Sequence, residues 1–223
     1  MNERIHILVV DDHPVVRKGI VAMLEVEADL EVVGECSNGQ EAIQQALYLR
    51  PDVILMDLVM PRVDGIEAIR AIKQDNPDAR ILVLTSFGTA DKIFPSLNAG
   101  AAGYLLKDSD PGELLTAIHK VFAGEGWLHP AITRQVLSQL NQQAAPAQPA
   151  VRAHAPEDDL TDREMEVLRY IAQGLSNQEI ARLMTVSEAT VHSHVSKVLT
   201  KLDLNSRTQA ALYALRKGIA TLD

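Results

Sequence analysis

At 223 residues and 47% hydrophobic content, the chain holds enough apolar side chains for two modest cores. No run approaches the roughly 18 apolar residues that span a bilayer, and a charged leader followed by an apolar stretch is missing, so a soluble, cytoplasmic protein without a membrane partner is expected. The net charge of −9 argues against a uniformly basic nucleic-acid binder, yet from Arg182 onward six Lys and Arg stand against three Asp and Glu, so positive charge gathers late in the chain.

Five apolar runs of strand length recur at Ile5 to Val10, Leu30 to Cys36, Val53 to Met56, Ile81 to Leu84 and Gly103 to Leu106. Helical spacing fills the gaps, as in Val16, Ile20, Met23, Leu24 and then Ala42, Ile43, Ala46, Leu47. Continuous apolar runs that alternate with amphipathic helices imply parallel strands covered on both faces, because parallel strands need crossovers. Pro95 in the fourth helical segment should confine that helix to later residues or kink it. Cys36 is the single cysteine, cannot form an internal disulfide, and reads as a buried structural residue of a reducing compartment.

After Trp127, the spacing Ile132, Val136, Leu137, Leu140 suggests an extra helix leading outward. Residues 142–159 carry Pro146, Pro149 and Pro156 with almost no large apolar side chains, and read as a tether. Beyond it no strand pattern remains, only short helices punctuated by Gly174, Thr185, Asn205 and Gly218. The expected organisation is a doubly wound, five-stranded parallel α/β domain over 1–128, a linker helix and tether over 129–159, and a small all-α domain over 160–223.

In an open parallel sheet, ligands bind beyond the carboxyl ends of the strands. Asp11 and Asp12 follow the first strand, Asp57 ends the third, Thr85 and Ser86 end the fourth, and Lys107 follows the fifth. Turns collect Asp and Ser as capping groups, so one such residue alone says little. Together they bring three carboxylates, a hydroxyl and an ammonium to one crevice. Crowded carboxylates repel unless a cation sits among them, and hard, oxygen-seeking Mg²⁺ suits such a cluster. A carboxylate can attack a phosphoryl group to give an acyl phosphate, which points to phosphoryl transfer onto Asp.

The strings VVDDHPVVRKGI, DVILMDLVMPRVDGIEAI, LTSF and AGAAGYLLKD resemble the flavodoxin-like receiver domains of NarL/FixJ-type two-component response regulators. The resemblance implies Asp57 as phosphoacceptor, with Asp11, Asp12, Asp57 and the Val59 backbone carbonyl around Mg²⁺. It also implies Thr85 and Tyr104 as switch residues, Lys107 as phosphoryl partner, and a cognate sensor histidine kinase. Packing of the Tyr104 ring at a strand edge is the alternative for that residue. An aspartate-dependent phosphatase would want an acid two residues after the nucleophile, where Val59 stands. The expected protein is therefore not an enzyme, but a phosphoacceptor with at most slow self-dephosphorylation.

In the last third, Thr161 with Glu164 and Ser176 with Glu179 form capping-box patterns, and Ser187 opens the next helix after a tight turn at Thr185 and Val186. That is helix-turn-helix spacing. Val191, Val195, Val198, Leu199 and Leu202 make one apolar stripe, leaving Ser193, Ser196, Lys197 and Thr200 outward. Such a face suits a major groove, although a merely solvated face would look alike. The stretch resembles the LuxR/GerE-type helix-turn-helix, which implies double-stranded DNA as partner and Thr190, His192, Ser193, Ser196, Lys197 and Thr200 as the DNA-facing set. His192 stands where the family's usual residue is Lys. The resemblance further implies a homodimer on phosphorylation, with Arg207, Ala211 and Leu215 of the final helix at its interface.

Overall fold

Each of the five apolar runs forms a strand in the computed structural model, which describes residues 4–86, 90–129, 132–133, 136 and 160–220. They are β1 (Ile5–Val10), β2 (Leu30–Cys36), β3 (Val53–Asp57), β4 (Ile81–Thr85) and β5 (Gly103–Leu106). Between and after them run α1 (Pro14–Leu24), α2 (Gly39–Leu49), α3 (Gly65–Asp75), α4 (Ala90–Asn98) and α5 (Pro111–Phe122). All pairings are parallel and the strand order is β2-β1-β3-β4-β5-β6. The sixth strand, β6 (Trp127–Leu128), corrects the expected five. Two residues are too few for any periodic pattern to announce a strand.

Every residue of β3, β4 and β5 is buried, as expected of central parallel strands covered on both faces. On one face Ile7, Val9, Leu55, Leu82, Leu84 and Leu105 pack with Ile20 and Leu24 of α1 and with Leu114, Ile118 and Val121 of α5. On the other, Ile54 meets Ala46 of α2 and Ile72 of α3 along a shared groove. The side chains of Asn38, Asp64 and Asp110 cap α2, α3 and α5 by accepting backbone N–H bonds. The fourth helix runs Ala90–Asn98 with Pro95 inside it, so the proline does not confine the helix to later residues. Pro95 is the sixth residue of that helix, past the first turn, so its missing amide and its ring both weaken the helix there without ending it.

The chain divides into two compact units, Met1–Thr133 and Arg134–Asp223. Residues 132, 133 and 136 of the expected outgoing helix are helical, whereas its Leu137 and Leu140 and the whole tether over 142–159 lie outside the described residues. The second unit contains α6 (Asp162–Ala172), α7 (Asn177–Met184), α8 (Glu188–Lys201) and α9 (Arg207–Arg216). Both capping boxes form as the sequence predicts, at Thr161/Glu164 and Ser176/Glu179, and Ser187 caps α8 through the Thr190 amide. Thr185 closes α7 in the left-handed region at φ 56°, which turns the chain sharply into α8. The core joins Val167, Leu168 and Ile171 to Ile180, Met184, Val191, Val195, Val198 and Ala210.

Close approach at Gly65 fixes how α3 begins beside the end of β3. A Cβ at Gly65 would lie 2.1 Å from the Asp57 carbonyl oxygen and 2.7 Å from Leu58 Cα, both backbone atoms that cannot swing aside. Gly65→Ala is therefore expected to lower stability by about 1–3 kcal/mol through overpacking. Urea unfolding would show a lower midpoint at unchanged slope. An unaltered midpoint would mean that α3 moves away without cost.

Candidate functional site

The parallel sheet sends the carboxyl ends of β1, β3, β4 and β5 toward one edge, and the polar residues placed there by the sequence meet. Asp11 and Asp57 are buried, at 1% and 3% exposure, whereas Asp12 is half-buried. Lys107 Nζ lies 2.7 Å from Asp11 Oδ2 and 2.7 Å from Asp57 Oδ2, joining the two buried carboxylates. The Val59 N–H donates to Asp57 Oδ1 at 3.3 Å. Backbone pairing sets the lysine's base, because the Lys107 N–H donates to the Thr85 carbonyl at 2.8 Å. Thr85 itself is buried, and its Oγ1 donates to the Ser86 carbonyl at 3.4 Å. Tyr104 is fully buried in β5, opposite Val83 of β4, and β6 rather than solvent lies on the strand's other side.

Burial pushes the Asp57 carboxyl above the usual aspartate range, with the Asp11 charge adding to it and Lys107 acting against it. For Lys107, burial alone would favour the neutral amine, but its contacts with Asp11 and Asp57 outweigh that and hold it protonated. The ammonium does not balance the whole cluster. Single donor atoms of Asp11, Asp12, His13 and Asp57 all lie within 4.8 Å of one another. Three carboxylates against one lysine leave an excess of hard, anionic oxygen donors, and this set fits a divalent cation.

Two neighbours of the acid pair were not singled out from the sequence. His13 Nδ1 lies 2.7 Å from Asp12 Oδ1, and its backbone N–H donates to Asp11 Oδ1 at 2.9 Å. Arg17, one turn further along α1, donates from Nη1 to the Asp11 carbonyl at 2.6 Å. The only advance signal was position, since His13 directly follows the acids and Arg17 stands four residues beyond it.

In the second unit, Val191, Val195 and Val198 of α8 are buried while Thr190, His192, Ser193, Ser196, Lys197 and Thr200 are exposed together. The predicted outward face is thus present as one surface, with His192 on it rather than packed. Arg207 differs from expectation. It is 8% exposed, and its guanidinium donates to Asn177 Oδ1 at 2.6 Å and to the Leu175 carbonyl, which binds α9 to the start of α7. A side chain committed to its own fold is not offered to a partner, whereas Ala211 and Leu215 are half-buried.

A doubly wound sheet with an acid-lysine pocket at its carboxyl edge, joined in one chain to a helix-turn-helix, defines a phosphorelay-type receiver attached to a DNA-binding module. Residues 7–119 match the response regulator receiver domain and residues 158–214 match the luxR family of bacterial regulatory proteins, so the chain belongs to the LuxR-type response regulators, which regulate transcription. The transcriptional regulatory protein LiaR of Bacillus subtilis is 44% identical over 215 residues, covering 96% of this chain and 99% of LiaR. The response regulator VraR of Staphylococcus aureus is 40% identical over 96% of this chain and 98% of its own. Among solved structures, the response regulator ChrA of a heme-sensing two-component system is 33% identical, covers 98% of this chain and 100% of its own, and superposes with a TM-score of 0.54. RcsB of Salmonella typhimurium is 27% identical across 95% of this chain and 98% of its own, with a TM-score of 0.57. Another RcsB structure, with a TM-score of 0.56 and 27% identity over 96% of this chain and 98% of its own, holds two dimers bound to two parallel DNAs. Among the described residues, no helix is long and apolar enough to cross a membrane.

The outward face of α8 is held in place by a carboxylate with two duties. Glu164 accepts the Thr161 N–H at 2.9 Å and the Lys201 ammonium at 2.7 Å, and so ties the start of α6 to the end of α8. Burial alone would raise its pKa, but the hydrogen bonds from Lys201 and Thr161 outweigh it and bring the carboxyl down to about 2. A depressed carboxyl contributes stability above its unfolded value, near ~4.3, and loses it as pH falls through the folded one. Glu164→Gln is expected to lower the unfolding midpoint of the full chain at pH 7, and the difference should shrink as pH drops from about 4.3 toward 2. A difference constant across that range would show that the charge is not what matters.

Proposed function

We propose that Asp57 accepts a phosphoryl group from the phosphohistidine of a sensor histidine kinase, and that this controls DNA binding by the second domain. The observation that carries the reading is Lys107 Nζ held 2.7 Å from both Asp57 and Asp11. An Asp57 carboxylate oxygen attacks phosphorus, the P–N bond to the histidine breaks, and the imidazole nitrogen keeps the electron pair. Lys107 is poised to exchange a carboxylate oxygen for a phosphoryl oxygen, and Thr85, on the neighbouring strand end, supplies a hydroxyl. Asp11, Asp12, Asp57 and the Val59 carbonyl would hold Mg²⁺, whose chemistry here is to neutralise phosphoryl charge. Val59 stands two residues after Asp57, where an aspartate-dependent phosphatase would want an acid, and this supports a phosphoacceptor rather than an enzyme.

Phosphorylation then promotes a homodimer, whose two α8 faces engage half-sites about one turn, roughly 10 bp, apart on double-stranded DNA. Ala211 and Leu215 are the dimer-forming residues we assign to α9, and the DNA-bound RcsB dimers support this arrangement. Acetyl phosphate with Mg²⁺ should produce one slowed species on a phosphate-affinity gel, and mass spectrometry with the labile acyl phosphate trapped should place it on Asp57. Asp57→Asn should abolish it, while modification at any other residue refutes the assignment. Sedimentation of the treated protein should report the dimer.

His192 gives the DNA face a distinct test. At pH 8 an imidazole is ordinarily neutral, so His192→Lys adds one cation to the face. The plot of log affinity against log salt should steepen by up to about 0.9 per subunit, since one more counterion is released. Equal slopes for the two proteins would mean that position 192 meets no phosphate.

A further inference from the structure

The strand that carries Lys107 at one end is also the strand to which the outgoing chain is fastened. β5 is flanked by β4 on one side and by the two-residue β6 on the other, with Gly103 opposite Trp127 and Tyr104 opposite Leu128. Beyond the strand, the His129 N–H donates to the Tyr104 carbonyl at 3.0 Å, and the Trp127 N–H donates to the Ala102 carbonyl at 3.4 Å. Gly103 permits this pairing, because a Cβ there would lie 2.9 Å from the Trp127 carbonyl oxygen. Residues 132 and 133 are helical, and the Thr133 N–H donates to the His129 carbonyl at 3.0 Å and its Oγ1 to the same oxygen at 3.3 Å. Side chains add to the hold. Lys120 of α5 sits 5.4 Å from the centre of the Trp127 ring, and His129 Nε2 is 3.8 Å from Glu113 Oε2.

We propose that Trp127–His129 is a releasable strap, through which a change at the acidic pocket is passed to the segment leading into the DNA-binding domain. The inference rests on the functional reading above and deepens it by naming the regulatory connection. Tyr104 and Lys107 are three residues apart, about 10 Å along an extended strand. β5 is buried at every residue and close-packed, so a change in what holds Lys107 at its end strains the strand along its length. A strand of two residues at a sheet edge belongs to the part of a fold that opens locally without global unfolding. Pairing and release of the strap are the two states, and both the pocket and the outgoing helix bias them.

His129→Pro removes the amide that bonds to Tyr104, and His129→Ala keeps that amide while removing the contact with Glu113. Each full-length protein is treated with acetyl phosphate and Mg²⁺, its phosphorylation is read on a phosphate-affinity gel, and its affinity is measured for a duplex selected from random sequence by the treated unaltered chain. All three proteins should be phosphorylated to the same extent. A gain in DNA affinity of about tenfold in the unaltered chain and in His129→Ala should fall to about twofold or less in His129→Pro. Full retention of the gain by His129→Pro, or equal loss in His129→Ala, overturns the strap. Absence of phosphorylation in the unaltered chain fails the functional reading itself, and the strap with it, and is visible on the gel before any DNA is added. Amide exchange of residues 127–129 in the unaltered chain gives a measurement independent of any variant's folding: protection there should change on phosphorylation, and an unchanged rate overturns the proposal.

Discussion

One ammonium between two buried carboxylates governs the first domain. Asp11 and Asp57 come from different strands and sit almost without solvent, an arrangement that two like charges cannot sustain alone. Lys107 makes it possible by reaching both at 2.7 Å, and its own position depends on the backbone bond to Thr85. The compensation is incomplete, since Asp12 adds a further negative charge at the rim. The excess negative charge that remains is what makes this set of oxygen donors fit a cation.

The rest of the domain can be understood as the frame for that contact. Parallel order places the ends of β1, β3, β4 and β5 on one edge, and the crossovers place helices over both faces. Gly65 lets α3 start against the carbonyl of Asp57, so the residue whose carboxylate meets Lys107 has little room to move. Arg17 and His13 fix the other acid by bonding to its carbonyl and carboxylate. In the second domain Glu164 with Lys201 ties α6 to α8, and Arg207 with Asn177 ties α9 to α7.

Much of this was legible in the sequence because it follows from periodicity. Strands buried on both faces read as continuous apolar runs, as β3, β4 and β5 do; the valine stripe of α8 likewise separates its buried side from its exposed one. The acids and Lys107 could be gathered because each stands at a strand end. What escaped depends on individual side-chain reach or on very short segments. β6 has only two residues, and its existence turns on an absent Cβ at Gly103 rather than on any pattern of its own. Arg207 looked like a surface residue because its partner Asn177 is 30 positions away, and no local rule links them. Pro95 suggested a helix confined to later residues, yet Ala90–Asn98 runs through it.

The pairing pattern has a consequence for how the chain is made. β1 is hydrogen-bonded to β2 on one side and β3 on the other, so during synthesis β1 waits for β3, which ends at residue 57, before both its edges are covered. During that interval an apolar strand with an open edge is a site for association with other chains. The helices of the second domain have no strand edge to cover. α6 and α7 carry their own start signals within four residues, at Thr161/Glu164 and Ser176/Glu179, although helices of 11 and 8 residues need the shared core to persist. Newly made protein is thus open to association through β1 for as long as β3 has not been made.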